Sequence, residues 1–151
     1  MPNSLKIFLS YAHADESMKT QLDMNLIGLK KNNSIEVWQD RAIMPGDSWD
    51  DEIKNALATA DIILLLISVD FNNSKYIWEN ELNIALKRHE KKEARVIPVI
   101  LRTCDWADMP YAKLQALPTG ARPISSFADK DEAYTNVAKG IRVVVDHMLS
   151  R

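Results

Sequence analysis

Glu81 is the residue best placed in this chain to do chemistry. It follows Trp78 by three positions and Ile77 by four in the segment Ser74-Lys-Tyr-Ile-Trp-Glu-Asn-Glu-Leu82. On a helix those separations lay side chains over one turn of the same face. A carboxylate held against an indole and an aliphatic chain is partly stripped of water, and such a group can stabilise positive charge developing on a bound molecule. The same residues also fit an ordinary surface glutamate, as Glu79 in the same turn does. Trp49 and Trp78 offer flat faces that can stack on a planar ring or pack within the core.

Other chemistries find less support. His13, His89 and His147 are scattered without ligand spacing, and Cys104 is the only cysteine. That excludes an internal disulfide and a zinc site built on cysteine pairs, and no metal site is expected. The four glycines, Gly28, Gly46, Gly120 and Gly140, cannot assemble a dinucleotide-binding GxGxxG turn or a P-loop.

The elements that must position Glu81 alternate in type. Leu5 to Tyr11 is a short apolar run, after which Met18, Leu22, Leu26 and Leu29 recur at helical spacing until Asn32 and Asn33. Ser34 to Trp38 alternates as a second strand, and a loop through Pro45 and Gly46 leads to a short helix over Asp50 to Thr59. The unbroken apolar stretch Ile62 to Ser68 marks a central strand covered on both sides. The helix carrying Glu81 comes next, then a strand over Ala94 to Leu101, in which Pro98 predicts a bulge or an end of pairing. Ala121 to Ser125 is a weak last strand, and Ala133, Val137, Ala138, Ile141, Val144, Val145 and Met148 trace a final helix.

This alternation predicts an α/β domain with a mostly parallel sheet and right-handed crossovers. Function in such folds sits beyond the carboxyl ends of the strands. The segments 10–15, 40–49 and 69–78 should therefore gather on one rim. A phosphorelay receiver shares the alternation, and Asp70 could mimic its acceptor. The first strand, however, leads into Ser10-Tyr-Ala-His-Ala14 without an acidic pair, and Pro123-Ile-Ser-Ser126 carries no lysine.

Composition bounds the partners. A chain of 151 residues, 46% apolar and 26% charged, suits one domain with a full core. A formal charge of −2 supplies no field for nucleic acid or an acidic membrane. No apolar run is long enough to span a bilayer and the first residues lack a signal-peptide core, so a cytoplasmic location is expected. The final helix ends near the edge of such a domain, which is compatible with 1–151 being one module of a longer protein.

Over nearly its whole length the chain resembles the Toll/interleukin-1 receptor (TIR) domain family, in particular its bacterial members. Lys6-Ile-Phe-Leu-Ser-Tyr11 is similar to the family's first box, the stretch from Trp38 to Trp49 to its second box and BB loop, and Ser74 to Leu82 to its catalytic segment. The stretches Arg95 to Trp106 and Leu114 to Pro118 also look typical of bacterial TIR sequences. The resemblance implies a flavodoxin-like three-layer α/β fold with a five-stranded parallel sheet and helices on both faces. It also implies either NAD+ cleavage, with Glu81 at the catalytic position, or homotypic signalling contacts. Many members carry Trp four residues before the glutamate, where this chain has Ile77, with Trp78 one position later. By position in the family motifs, Tyr11, Asp40 and Arg41 would contact ribose or phosphate, or else fix loops.

One carboxylate suffices for that reaction. The nicotinamide of NAD+ is cationic and leaves neutral without a proton, so the enzyme has chiefly to stabilise the oxocarbenium charge growing on the ribose. NAD+ would be the substrate, with no resident cofactor. The resemblance further implies that the BB loop near Pro45 and Gly46 docks on a neighbouring TIR domain, so that self-association completes the pocket and controls activity. The alternative is a noncatalytic adaptor that only binds other TIR domains.

Overall fold

Alternate residues of the strands part into two cores, one on each side of a parallel sheet. The computed structural model describes residues 4–39, 46 and 48–150. Strands β1 (Leu5–Ser10), β2 (Ile35–Val37), β3 (Ile62–Ile67) and β4 (Arg95–Ile100) lie in the order β2-β1-β3-β4, and every pairing is parallel. Side chains two apart share a face. Thus Leu5, Ile7, Leu9, Ile62, Leu64, Leu66, Ile97 and Val99 enter one core, whereas Phe8, Ile63, Leu65, Ile67, Val96 and Ile100 enter the other. All six residues of β3 are fully buried, as a central strand between two helical layers requires.

Helices α1 (Glu16–Asn25), α2 (Ile27–Lys31) and α7 (Lys130–Leu149) cover the first core through Leu22, Leu29, Val137, Ile141 and Val145. The second core is covered by α3 (Trp49–Thr59), α4 (Val69–Asn73), α5 (Lys75–Ile77) and α6 (Asn83–Glu90), through Ile53, Leu57, Phe71, Ile77 and Ala85. The expected continuous first helix is broken at Leu26, which keeps its inward place at 1% exposure. Serines start the helices after β3: Ser68 Oγ accepts from the Phe71 N–H at 3.1 Å and Ser74 Oγ from the Ile77 N–H at 3.2 Å. Among the described residues no helix is long and apolar enough to cross a membrane.

Two expectations are corrected. Among the described residues the sheet has four strands, not five. In place of a strand over Ala121 to Ser125 the chain makes 3-10 turns at Thr119–Ala121 and Ile124–Ser126. Only Leu117 reaches the sheet, accepting from the Ile100 N–H and donating to the Pro98 carbonyl in a single bridge. Pro118 and Pro123 have no N–H to extend a ladder, and Gly120 turns the chain at a φ of 79°. Pro98 itself causes no bulge, since β4 pairs with β3 in register through that position. Its carbonyl faces the outer edge toward Leu117, so the missing N–H falls on the side where no full strand follows.

Candidate functional site

Strand order reverses direction between β1 and β3, with β2 on one side and β4 on the other, and the crevice at such a switch point is where open parallel sheets hold ligands. A cavity of about 310 Å³ opens beside the carboxyl end of β1. Phe8, Tyr11 and His13 come to it from β1 and the following loop, Trp38 from the end of β2, Trp49 and Ile53 from α3, and Tyr76, Ile77 and Glu81 from the segment after β3.

Glu81 is 7% exposed, one of two buried carboxylates among the described residues. The backbone around it departs from an ordinary helix: Trp78–Leu82 forms a π turn between α5 and α6. An i→i+5 turn uses more residues per revolution, which swings the residues four and five before Glu81 onto its side and the residue three before it away. Accordingly Ile77 and Tyr76 line the cavity with Glu81 and Trp78 does not. The Trp78 indole packs in the second core and donates through Nε1 to the Asn72 carbonyl at 2.8 Å. Across the cleft, Ser10 Oγ donates to Glu81 Oε1 at 2.7 Å, and Ser10 is fully buried.

Aromatic rings form the rest of the wall. Trp38 stacks on Phe8 with ring centroids 5.6 Å apart and planes 14° from parallel. Trp49, 52% exposed, leans on Tyr76 at 5.3 Å and 41°, while Tyr76 Oη donates to Asp50 Oδ1 at 2.8 Å. Tyr11 is half-buried, and Lys19 Nζ lies 5.1 Å from its ring centre. A buried carboxylate framed by rings suits a ligand that joins planar groups to a polar, charge-developing centre.

The structure therefore brings Tyr11, Trp49 and Glu81 to one cavity and sets Trp78 outside it. Asp40, Arg41 and Pro45 lie outside the described residues, and Gly46 adopts a φ of 93°. Sequence reasoning missed the parts played by Ser10, Tyr76 and the Phe8–Trp38 stack. For Ser10 a signal existed. It is the polar last residue of an apolar strand, two positions after Phe8 and hence on the same face.

A second polar cluster ties the neighbouring strand ends together. Asp15, 2% exposed, accepts from Arg102 Nε at 2.8 Å through one oxygen and from Ser68 Oγ through the other. Arg102 also pairs with Asp70, so the carboxylate considered for phosphorelay is engaged by a guanidinium. These bonds join the loop after β1 to the ends of β3 and β4.

Fold and cleft together define a parallel α/β domain with a crevice at the β1/β3 switch point, the architecture of a TIR domain. The TIR domain family model matches residues 7–137, and the chain belongs to that family. An uncharacterised protein, y4lF of Sinorhizobium fredii (strain NBRC 101917 / NGR234), is 46% identical over 136 residues, covering 90% of this chain. The chain spans 42% of that relative's length. Among solved structures, the TIR domains of the activated Roq1 resistosome directly recognising the pathogen effector XopQ superpose with a TM-score of 0.65 at 18% identity, covering 91% of this chain and 99% of the other. That likeness is one of fold.

Proposed function

We propose that this domain is an NAD+ glycohydrolase whose activity depends on self-association. The observation that carries the reading is the Glu81 carboxylate, 7% exposed, in an aromatic-lined cavity at the sheet's switch point. Membership of the TIR family supports it, as does the likeness to TIR domains of an assembled resistosome.

In the proposed reaction the bond between ribose C1′ and the nicotinamide nitrogen breaks, and its electron pair leaves with nicotinamide, neutralising the pyridinium. Positive charge spreads over C1′ and the ring oxygen. Glu81 stabilises that charge at close range in a cleft with little water, where a fixed carboxylate needs no reorganisation. Addition of water at C1′ gives ADP-ribose and releases a proton, whereas attack by the substrate's own adenine gives a cyclic isomer. Tyr11, Trp49 and Tyr76 would hold planar and ribose groups, and Asp40 and Arg41, by their position in the family motifs, would contact ribose or phosphate. On this reading Trp78 packs the helix rather than touching substrate.

Purified protein incubated with NAD+, with and without a crowding agent, should release nicotinamide. Glu81→Ala should lower that release more than about a hundredfold with no drop in the thermal unfolding midpoint. Turnover by the alanine variant at the parent rate would remove Glu81 from the reaction. Binding of NAD+ or of a second copy without nicotinamide release would favour the noncatalytic adaptor.

A further inference from the structure

Four polar residues are buried among those described, and they form two matched pairs: Ser10 with Glu81, and Ser68 with Asp15. Each serine ends or follows a strand and donates its hydroxyl to a carboxylate from a later or earlier segment. The pairs differ in surroundings. Asp15 also carries the Arg102 guanidinium and faces packed structure, whereas Glu81 faces the cavity. We propose that Ser10 is a positioning residue for Glu81, holding its carboxylate ionised and aimed into the cleft.

The chemistry follows from what a buried serine can do. Its hydroxyl has one proton, and that proton lies toward Glu81 Oε1 at 2.7 Å. A hydrogen bond donated to a carboxylate favours the ionised form and restricts rotation of the group. The hydroxyl is anchored on β1, held in register between β2 and β3, whereas Glu81 sits on a π turn whose backbone is the least regular part of its helix. The strand partner thus fixes the helical one.

Among the described residues, Tyr11 and His13 from the loop after β1 and Tyr76 from α5 line the cavity with this carboxylate. Asp50 of α3 is joined to the Tyr76 hydroxyl, and Glu79 on the same π turn points to solvent. None of these changes between Ser10→Ala and the parent, so a difference between the two isolates the hydroxyl.

The proposal deepens the assignment of Glu81 as the charge-stabilising carboxylate and can fail separately from it. Protein labelled with ¹³C at glutamate carboxyls would be titrated by NMR, with the Glu81 resonance identified by its loss in Glu81→Gln. In Ser10→Ala that resonance should titrate about one pH unit higher than in the parent. With NAD+, the variant should lose about tenfold in kcat with KM changed by less than about threefold, and the acid limb of its rate profile should move up with the resonance. Ser10→Thr, which keeps the hydroxyl, should restore both the titration and kcat. Ser68→Ala removes the equivalent hydroxyl one strand away and controls for a general loss of stability. It should leave the Glu81 titration in place. An unmoved Glu81 resonance in Ser10→Ala, or an equal movement in Ser68→Ala, overturns the proposal. A shifted resonance in a protein that releases no nicotinamide upholds the coupling and instead removes the proposed reaction.

Discussion

Asp15 and Glu81, the two buried carboxylates among the described residues, each accept from a buried serine hydroxyl. Asp15 satisfies both oxygens, one on Arg102 and one on Ser68, and hydrogen bonds to Asp15 and then Asp70 raise the Arg102 pKa, so the guanidinium stays charged. Its outer edge is 35% exposed, which softens the attraction, but the Asp15 side chain is only 1% exposed and cannot rehydrate in place. Arg102→Met should therefore cost about 2 kcal/mol, read as a lower urea midpoint at unchanged slope. Pairing it with Asp15→Asn should recover part of the loss, because the uncompensated charge is then gone. A midpoint identical to the parent in Arg102→Met would show that this cluster does not hold the strand ends together. At the same scale, helical spacing set Ile77 beside Glu81 but left the carboxylate open between a buried and a surface place. Which aromatic ring joins it was not legible, because a π turn leaves no periodic mark in so short a segment and moves Tyr76 into the place expected for Trp78.

At the scale of elements, the ends matter as much as the bodies. Strand β4 follows α6 across the turn 91–94, and His89 bridges that turn, its Nδ1 accepting from the Val96 N–H at 3.1 Å. Acceptance requires the unprotonated nitrogen. Burial, then the charges of Arg95 and Lys113, lower the His89 pKa from its ordinary 6.5, with Glu90 opposing. The unfolded chain thus takes up this proton at a higher pH than the folded one. Stability from the neutral imidazole is complete above the ordinary value and is lost as pH falls below it toward the folded pKa. The urea midpoint should decline between about pH 8 and about pH 5, and the decline should be shallower in His89→Gln. Parallel slopes for parent and variant would exclude His89 as a contributor. Nothing in the spacing of His89 announced this contact, since its partner lies across a turn. By contrast, β1, β3, α3, α6 and α7 were readable from period and from unbroken apolar runs. The supposed fifth strand misled because Ala121 to Ser125 has a strand's length but has Pro123 within it and Gly120 before it.

Across the whole molecule, the sheet order places the cleft, and on the proposed function the cleft's size suits a site that a neighbouring copy completes. About 310 Å³ lies at the lower limit for small-molecule sites, and a dinucleotide carries two bases, two riboses and a pyrophosphate. Trp49 stands 52% exposed at the wall of that cavity, an apolar ring that a neighbouring copy could cover. On the proposed function, a second domain supplies the missing wall, excludes water and so strengthens the field of Glu81 at the ribose. The rate would then follow the population of assembled protein rather than total protein. Nicotinamide release per mole of domain should rise steeply between about 1 and about 100 μM and level off once association is complete, with light scattering tracking the same transition. Trp49→Ala should shift both curves to higher concentration, because the ring serves the contact, and should also lower the plateau rate, because the same ring holds substrate. Specific activity that stays constant across that range would mean that a single chain completes its own site and that self-association plays no part in the chemistry.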